Sequence, residues 1–551
     1  MVNQWYKSAV VYGIDVKVFS DSDGDGMGDF QGLISKLDYL SSLGVNCLWL
    51  LPFHPSPKID NGYDVADYYN VDPALGNLGD FVQFIHEADQ RGIRVIMDLV
   101  INHTSVENSW FKDASATRES RYRDYYIWED EPKENKEKVM LKGIQESIWE
   151  YSEATDSYYL HRYFKDQADL NLANPRVRKE VLKIMDFWLK LGVSGFRIDA
   201  AHVVTDPADV DHIDFGNLHT LFDEMRAFLD IRNPNAVLLG EASVGPDELP
   251  KYFGNNESGK ERIHMLFNFL INKHIMLSFA RQEGATVAKG LKLYKDIAQS
   301  HWLNFVRHHD ELNLELLSDD ERMEVWNAFA PEEDMRLFGH GIRRRLPPML
   351  KNNHARIRQI YSLMFSMPGT PLISYGEEIG MGDNLSLEGR ESVRTPMQWS
   401  PVKGGGFSTA DPEDLYRPVI ESGDYSTEKI NVNDQQNDPS SLLNWFCSLV
   451  KVRRQNPVIG MGAWDILNVS DSCAVALIYE MPEATVVVAH NLSPEPVEVS
   501  VDTGFLLKSA VEIFSDEKYD KEILFNKLKL NGYGYRWIQV LDKEKITFLN
   551  N

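Results

Sequence analysis

Residues 195–199 read Gly195-Phe196-Arg197-Ile198-Asp199, a short apolar run that ends on a carboxylate. Two further runs have the same form: Ala236-Val237-Leu238-Leu239-Gly240-Glu241 and Phe305-Val306-Arg307-His308-His309-Asp310. A charge at the exit of a buried strand is costly to desolvate and is kept where it serves chemistry. Three such acids, on strand-like runs separated by helical stretches, predict one pocket at the carboxyl end of a parallel barrel.

The same pattern extends on both sides. Ala9–Phe19, Cys47–Pro52, Arg94–Val100, Gly195–Ala200, Ala236–Ala242, Met265–Phe269, Trp302–His309 and Thr370–Tyr375 read as buried strands. Most lack in/out alternation, as expected of strands covered on both faces. Amphipathic segments lie between them, among them Asp80–Arg91, Pro175–Leu191 and Asn217–Asp230. Strand-helix units imply right-handed crossovers, and eight of them make a (β/α)8 TIM barrel of the α/β class. The rhythm breaks once, between Val100 and Gly195, where a Trp-, Tyr- and charge-rich stretch predicts an inserted subdomain after strand 3 that walls the pocket. A long Gly-rich loop, Gly376–Gly423, follows the last strand, and the helix Ser440–Arg454 closes the barrel. From Val458 the pattern changes to short alternating strands, Ala474–Tyr479, Ala484–Asn491, Pro496–Val501 and Trp537–Leu541, a C-terminal antiparallel β-sandwich. The expected division is a barrel over 1–103 and 170–457, an insertion over 104–169 and the sandwich over 458–551.

A chain of 551 residues exceeds what one core supports. Its formal charge of -26 excludes a nucleic-acid partner, because phosphate binding requires a basic face. Cys47, Cys447 and Cys473 are too few and too scattered for a disulfide framework or a metal motif. No stretch has the ~20 apolar residues that span a bilayer, and the first residues lack the apolar core of a signal peptide. These readings place the protein in the cytoplasm with a small neutral ligand, no membrane and no organic cofactor.

If the strands run parallel, Asp199, Glu241 and Asp310 meet at the barrel mouth. Two carboxyl groups about 5–5.5 Å apart run a double displacement on a glycosidic bond: one attacks the sugar carbon, the other protonates the leaving oxygen and then deprotonates the acceptor. Arg197 shares a strand face with Asp199 and can hold the nucleophile charged. Glu241 needs burial or a neighbouring negative charge, part of which Asp310 supplies. His103, at the end of Asp98-Leu99-Val100-Ile101-Asn102-His103, and His309 offer hydrogen bonds to sugar hydroxyls. Phe164 and Trp149 on the insertion are candidates for stacking on a sugar ring, whereas Trp5, Trp49, Trp188 and Trp326 read as core. The run Arg343-Arg344-Arg345 reads as capping and ion pairing.

These residues together resemble the α-amylase superfamily of glycoside hydrolases. The likeness runs over the whole chain through Asp98–His103, Gly195–His202, Glu241, His308–Glu311 and Gln167-Ala168-Asp169-Leu170-Asn171. It implies that Asp199 is the nucleophile, Glu241 the acid/base and Asp310 the transition-state stabiliser, with Arg197, His103 and His309 binding sugar. In Gly62-Tyr63-Asp64-Val65-Ala66-Asp67-Tyr68 it implies that Tyr63 stacks on a terminal glucose. It also implies that Asp64 clamps the non-reducing end with Arg394 of Val393-Arg394-Thr395-Pro396-Met397-Gln398-Trp399.

Further runs, including Gly380-Met381-Gly382-Asp383-Asn384 and Asp438–Trp445, resemble the members that interconvert maltose and trehalose. The expected activity is therefore transfer of terminal glucose from short α-glucosides. The alternatives are an exo-acting α-glucosidase, a transglucosylase with another small acceptor and, remotely, an inactive sugar-binding protein. The stretch Ala200–Asp206, the Met140–Trp149 segment, Ala168 and His308 depart from that subgroup, all where a leaving group or acceptor would sit.

One motif stands apart. Asp21-Ser22-Asp23-Gly24-Asp25-Gly26-Met27-Gly28-Asp29 carries carboxylates at alternating positions around glycines, a spacing that suits structural Ca²⁺, with Mg²⁺ second. Gly32 at the twelfth position rules out an EF-hand. The resemblance implies ligation by Asp21, Asp23, Asp25, Asp29 and the carbonyl of Met27.

Overall fold

The computed structural model describes residues 4–545 except 134–135, 142, 208–209, 211, 256–259, 294, 296, 298–300 and 521. Eight parallel strands close into a barrel: β1 (Val11–Ile14), β2 (Cys47–Leu50), β3 (Arg94–Leu99), β4 (Gly195–Ile198), β5 (Val237–Gly240), β6 (Met265–Phe267), β7 (Trp302–Asn304) and β8 (Thr370–Ser374). They stand in sequence order, with β8 returning to pair with β1 through Val11 opposite Leu372. Every strand read from the apolar runs is present, and nearly all their residues are buried. Alternation is hidden because each strand has two apolar faces. Val11, Cys47, Trp49, Ile96, Leu239, Met265 and Leu303 pack inside the barrel, while Tyr12, Leu48, Leu50, Val95 and Leu238 meet the helices.

The helices begin where side chains can cap them. Asn77 and Asp80 form a capping box at Leu78–Gln90, and Asn174 caps Pro175–Lys190 with proline at its first turn. Between β3 and β4 the insertion builds small antiparallel sheets. His103–Ser105 pairs with Gln167–Asp169, and Ser157–Leu160 pairs with both Trp128–Glu129 and Trp149–Ser152. After β8 the chain from Gly376 to Gly423 crosses the mouth with two short 3₁₀ turns, Gly389–Val393 and Lys403–Gly406.

The C-terminal region is a six-stranded antiparallel sheet. One face (Val475, Leu477, Tyr479, Val486, Val488, Trp537) packs on the barrel. The other face is covered by the two-stranded ribbon Val497–Val499 and Leu528–Leu530. Two of its strands, Ala463–Val469 and Phe505–Ser515, were not among the sequence expectations. Phe505–Ser515 has three shifts of register against Tyr535–Lys545, which break the period of two that reveals a strand. Among the described residues, no helix is long and apolar enough to cross a membrane.

Candidate active site

The barrel brings the acids together at one guanidinium. Arg197, on β4, is buried and reaches three carboxylates: Asp98 Oδ1 at 2.6 Å, Asp199 Oδ1 at 2.5 Å through the same Nη1, and Glu241 Oε2 at 2.7 Å through Nη2. The two carboxyl groups named for the chemistry therefore flank one planar cation. The Ala200 amide also donates to Glu241 Oε2 at 2.9 Å; Ala200 adopts φ 45°, a left-handed backbone that turns the chain sharply after Asp199.

The charge balance decides where protons sit. Burial pushes the Asp98 carboxyl up to about 6, against Arg197 and a hydrogen bond from Trp49 Nε1. Asp199 is held well above the usual carboxylate range by burial first and then by the charges of Glu241, Asp98 and Asp310, against the pull of Arg197. Asp98 and Asp199 are thus both harder to ionise than free carboxyls, although one guanidinium pulls on each of them.

Asp310 has the opposite setting. Burial opposes its ionisation, but Arg390, His309 and Arg394 outweigh burial and hold its carboxyl well below the usual range. Arg394 Nη2 lies 2.7 Å and Arg390 Nη1 3.2 Å from Asp310 Oδ1, and His309 Nε2 lies 3.2 Å from Oδ2. Tyr63 stacks on His309, with ring centroids 5.7 Å apart and planes 11° apart, and its hydroxyl meets His309 Nε2 at 2.8 Å. His103 is buried with Nε2 3.2 Å from the Tyr63 carbonyl. Asp199, Glu241, Asp310, Arg197, His309, Tyr63, Arg394 and His103 therefore form one connected cluster.

Three expectations need correction. Asp64 does not meet Arg394: it is fully buried and accepts from Ser56 Oγ at 2.7 Å and from the Ile59 and Asp60 amides. Asp60, four residues earlier and held by Gln167 Nε2 at 2.9 Å, adds its charge at Arg394 and Arg390 behind the larger one of Asp310. Gly62, at φ 100°, turns the chain between the two acids. Tyr163, not its neighbour Phe164, lines the cavity, together with Phe269 and Phe338; its ring lies 5.4 Å from that of His103, and burial with the charges of Asp199 and Glu241 raises its hydroxyl. Phe164 is half-buried beside it. Trp149 belongs to the insertion's own core with Ile127, Val139, Ile148 and Leu160.

A cavity of about 130 Å³ opens beside Glu241 and Asp310. Met140, His202 and His308 are on its wall, together with Ser243, Glu311 and Glu315. Of the departures from the subgroup pattern, Met140, His202 and His308 thus line the cavity, whereas Ala168 is paired with Thr104 in the insertion.

The basic run at 343–345 holds the loop that delivers the arginines. Arg343 donates to the carbonyls of Asp334 (2.6 Å), Leu385 (2.7 Å), Leu387 (2.7 Å) and Gly389 (3.2 Å). Arg345 donates to Val393 O at 3.1 Å and to Tyr375 O at 3.0 Å. Its partners lie some forty residues away in sequence, so only the hydrogen-bonding role was foreseeable, not the target.

In the 21–29 loop, Asp21, Asp23 and Asp29 each bring a carboxylate oxygen within 4.8 Å of the others. Asp23 is pushed above the usual range by desolvation and by the charges of Asp25, Asp21 and Asp29. Hard oxygens crowded this closely fit a divalent cation such as Ca²⁺. Asp25 lies outside that group; it accepts from the Met27 amide at 2.8 Å, as Asp21 accepts from the Gly24 and Gly26 amides and Asp29 from that of Gly32.

Comparison with known proteins agrees with this geometry. The profile of the alpha amylase catalytic domain matches residues 14–462. The trehalose synthase of Pimelobacter sp. is 36% identical, over 98% of this chain and 96% of its own length. The trehalose synthase/amylase of Mycobacterium tuberculosis is 36% identical over 98% and 91%. Among solved structures, an inactive double mutant of MutB in complex with isomaltulose superposes with a TM-score of 0.79 at 25% identity, covering 97% of this chain and 99% of that one.

Proposed function

This chain belongs to the α-amylase family, and we propose that it is a retaining glucosyltransferase that moves the terminal glucose of short α-glucosides, interconverting maltose and trehalose. The observation that carries the reading is Arg197 bridging Asp199 and Glu241, because a retaining mechanism needs its two carboxyl groups close together. The whole-length likeness to trehalose synthases supports the choice of substrate.

Asp199, ionised against Arg197, attacks the anomeric carbon as Glu241 gives its own proton to the leaving oxygen, so the glycosidic C–O bond breaks and a glucosyl ester forms on Asp199. Asp310, kept ionised by Arg390 and Arg394, grips secondary hydroxyls as the ring flattens towards the oxocarbenium state. Tyr63 and His309 form the floor, and Asp60 with Arg394 closes the end of the pocket beyond one glucose. The freed glucose must then turn and present another hydroxyl to Glu241 before water does. Calcium in the 21–29 loop, held by Asp21, Asp23 and Asp29, belongs to the same proposal as a purely structural ion.

Incubation with maltose and chromatographic analysis of the products tests the reading. Trehalose is the expected main product. Glucose alone would refute transfer and leave an exo-acting α-glucosidase.

A further inference from the structure

Behind the acceptor side of the cavity lies a lysine that the mechanism above does not use. Lys273 sits on the helix Phe269–Arg281, is fully buried, and directs Nζ to Ser243 Oγ at 3.3 Å. Ser243, two residues beyond Glu241, is on the cavity wall, and Lys273 is its side-chain hydrogen-bond partner among the described residues. An ammonium has three donors and no acceptor, so in this pair the serine oxygen must accept. Its own proton is then directed away from the lysine.

We propose that Lys273 is a positioning residue for the acceptor half of the reaction: by donating to Ser243 Oγ it turns the serine hydroxyl proton into the cavity, where Ser243 serves as a fixed donor to a hydroxyl of the acceptor sugar. The proposal rests on the glucosyl-transfer reading. It makes Ser243 a specificity-determining residue, one that favours a hydroxyl-bearing acceptor, held in register, over a tumbling water molecule.

The setting of Lys273 makes this orientation depend on pH. Burial lowers its ammonium to about 7, against the charge of Glu315, which lines the same cavity. The cavity wall also carries Glu241, Asp310, Glu311, His202, His308 and Arg390, and on the lysine's own helix stands His274, whose Nδ1 is engaged with the Leu270 carbonyl at 2.8 Å. Below about 7 the ammonium donates and the serine proton points outward. Above it the neutral amine gains a lone pair, and the outward direction of the serine proton is no longer enforced.

The experiment is the trehalose-to-glucose product ratio from maltose between pH 5.5 and 8.5, for the wild type and three variants. One oriented hydrogen bond is worth about a five- to tenfold change in that ratio. The wild-type ratio is expected to step down as pH rises through about 7. Lys273→Met and Ser243→Ala start about five- to tenfold lower and show no step, whereas Lys273→Arg, always charged, keeps the high ratio across the range. A Lys273→Met or Ser243→Ala enzyme with the wild-type ratio and step overturns the proposal, and Ser243→Ala decides if either lysine variant fails to fold. If the wild type forms no trehalose, the transfer reading falls separately. Ser243 is then read in KM: Ser243→Ala raises KM for maltose about fivefold and leaves that for phenyl α-glucoside, whose aglycone has no hydroxyl, unchanged. An unaltered maltose KM in that case overturns the proposal too.

Discussion

Replacing Arg394 by Met tests which acid this arginine serves. Arg394 is buried, donates to Asp310 Oδ1 at 2.7 Å, to the His309 carbonyl at 2.8 Å and to the half-exposed Glu391 at 3.3 Å, whereas Asp64 is bonded to Ser56 and Ile59. Breaking a buried pair by removing one partner costs about 3–5 kcal/mol, but Arg390 remains 3.2 Å from the same oxygen, so we expect about 2–3 kcal/mol. With about 2.1 cal/mol/K of unfolding entropy per residue, 551 residues give about 1.2 kcal/mol/K, so Tm falls by about 2 °C. In an Asp310→Asn background the same replacement should cost about half as much, whereas with Asp64→Asn the two losses should add to within about 0.5 kcal/mol.

The pH dependence has a definite sign. Asp310 is held well below its ordinary value, so its contribution is present above the unfolded pKa and lost as pH falls through the folded one. Losing Arg394 raises the folded value towards the unfolded one, so the acid loss begins at the same unfolded pKa but is smaller and ends at higher pH than in the wild type. Calorimetry of the six proteins (wild type, three single variants and two doubles) from pH 7 to 3 measures both effects. Coupling of Arg394 to Asp64 rather than to Asp310, or an unmoved acid limb, would refute the assignment.

Asp199→Asn should abolish turnover, by about 10⁴-fold or more, yet leave Tm unchanged or higher, since burial, Glu241 and Asp98 all oppose the charge that is removed. A clear loss of Tm, or retained turnover, would contradict that role. Removing calcium by a chelator should lower Tm by about 2 °C where free calcium had stood at about a hundred times its Kd, worth about 2.7 kcal/mol, and Asp21→Asn should abolish the response; a chelator without effect would make the loop a solvated turn. Arg343→Met should cut kcat/KM at least about tenfold by releasing the loop that carries Arg390 and Arg394, though Arg343 touches neither acid. Wild-type kinetics in that variant would show that the loop holds its place unaided.

The barrel and the acids were legible for one reason: both depend on local pattern. A strand covered on both faces reads as a continuous apolar run, and a carboxylate ending that run points to the mouth whatever lies elsewhere in the chain. What failed depended on turns and on distant partners. Asp60 and Asp64 flank the same tyrosine, and choosing between them requires the left-handed backbone at Asn61 (φ 51°) and Gly62 (φ 100°). Asn61, buried and tied to Asp15 at 2.9 Å and to Arg417 at 2.8 Å, fixes that turn through residues 46 and 356 positions away. Tyr163 and Phe164 differ by one position, and a single step decides which ring faces the cavity. Trp149 lies on a strand whose inward side belongs to the insertion's own core.

Arg343 shows where such reasoning can be extended. Its donors go to backbone carbonyls, so nothing about the residues at 385, 387 and 389 announces the contact. The chemistry at both ends is nevertheless constrained. A guanidinium that is buried without a carboxylate needs several carbonyls, and a loop of 48 residues from Gly376 to Gly423, with only short 3₁₀ turns before its end, has carbonyls that no helix or strand satisfies. The basic run and the irregular loop are each unsatisfied alone and complete one another. That complementarity is why the arginines opposite Asp310 stand still enough to hold its charge.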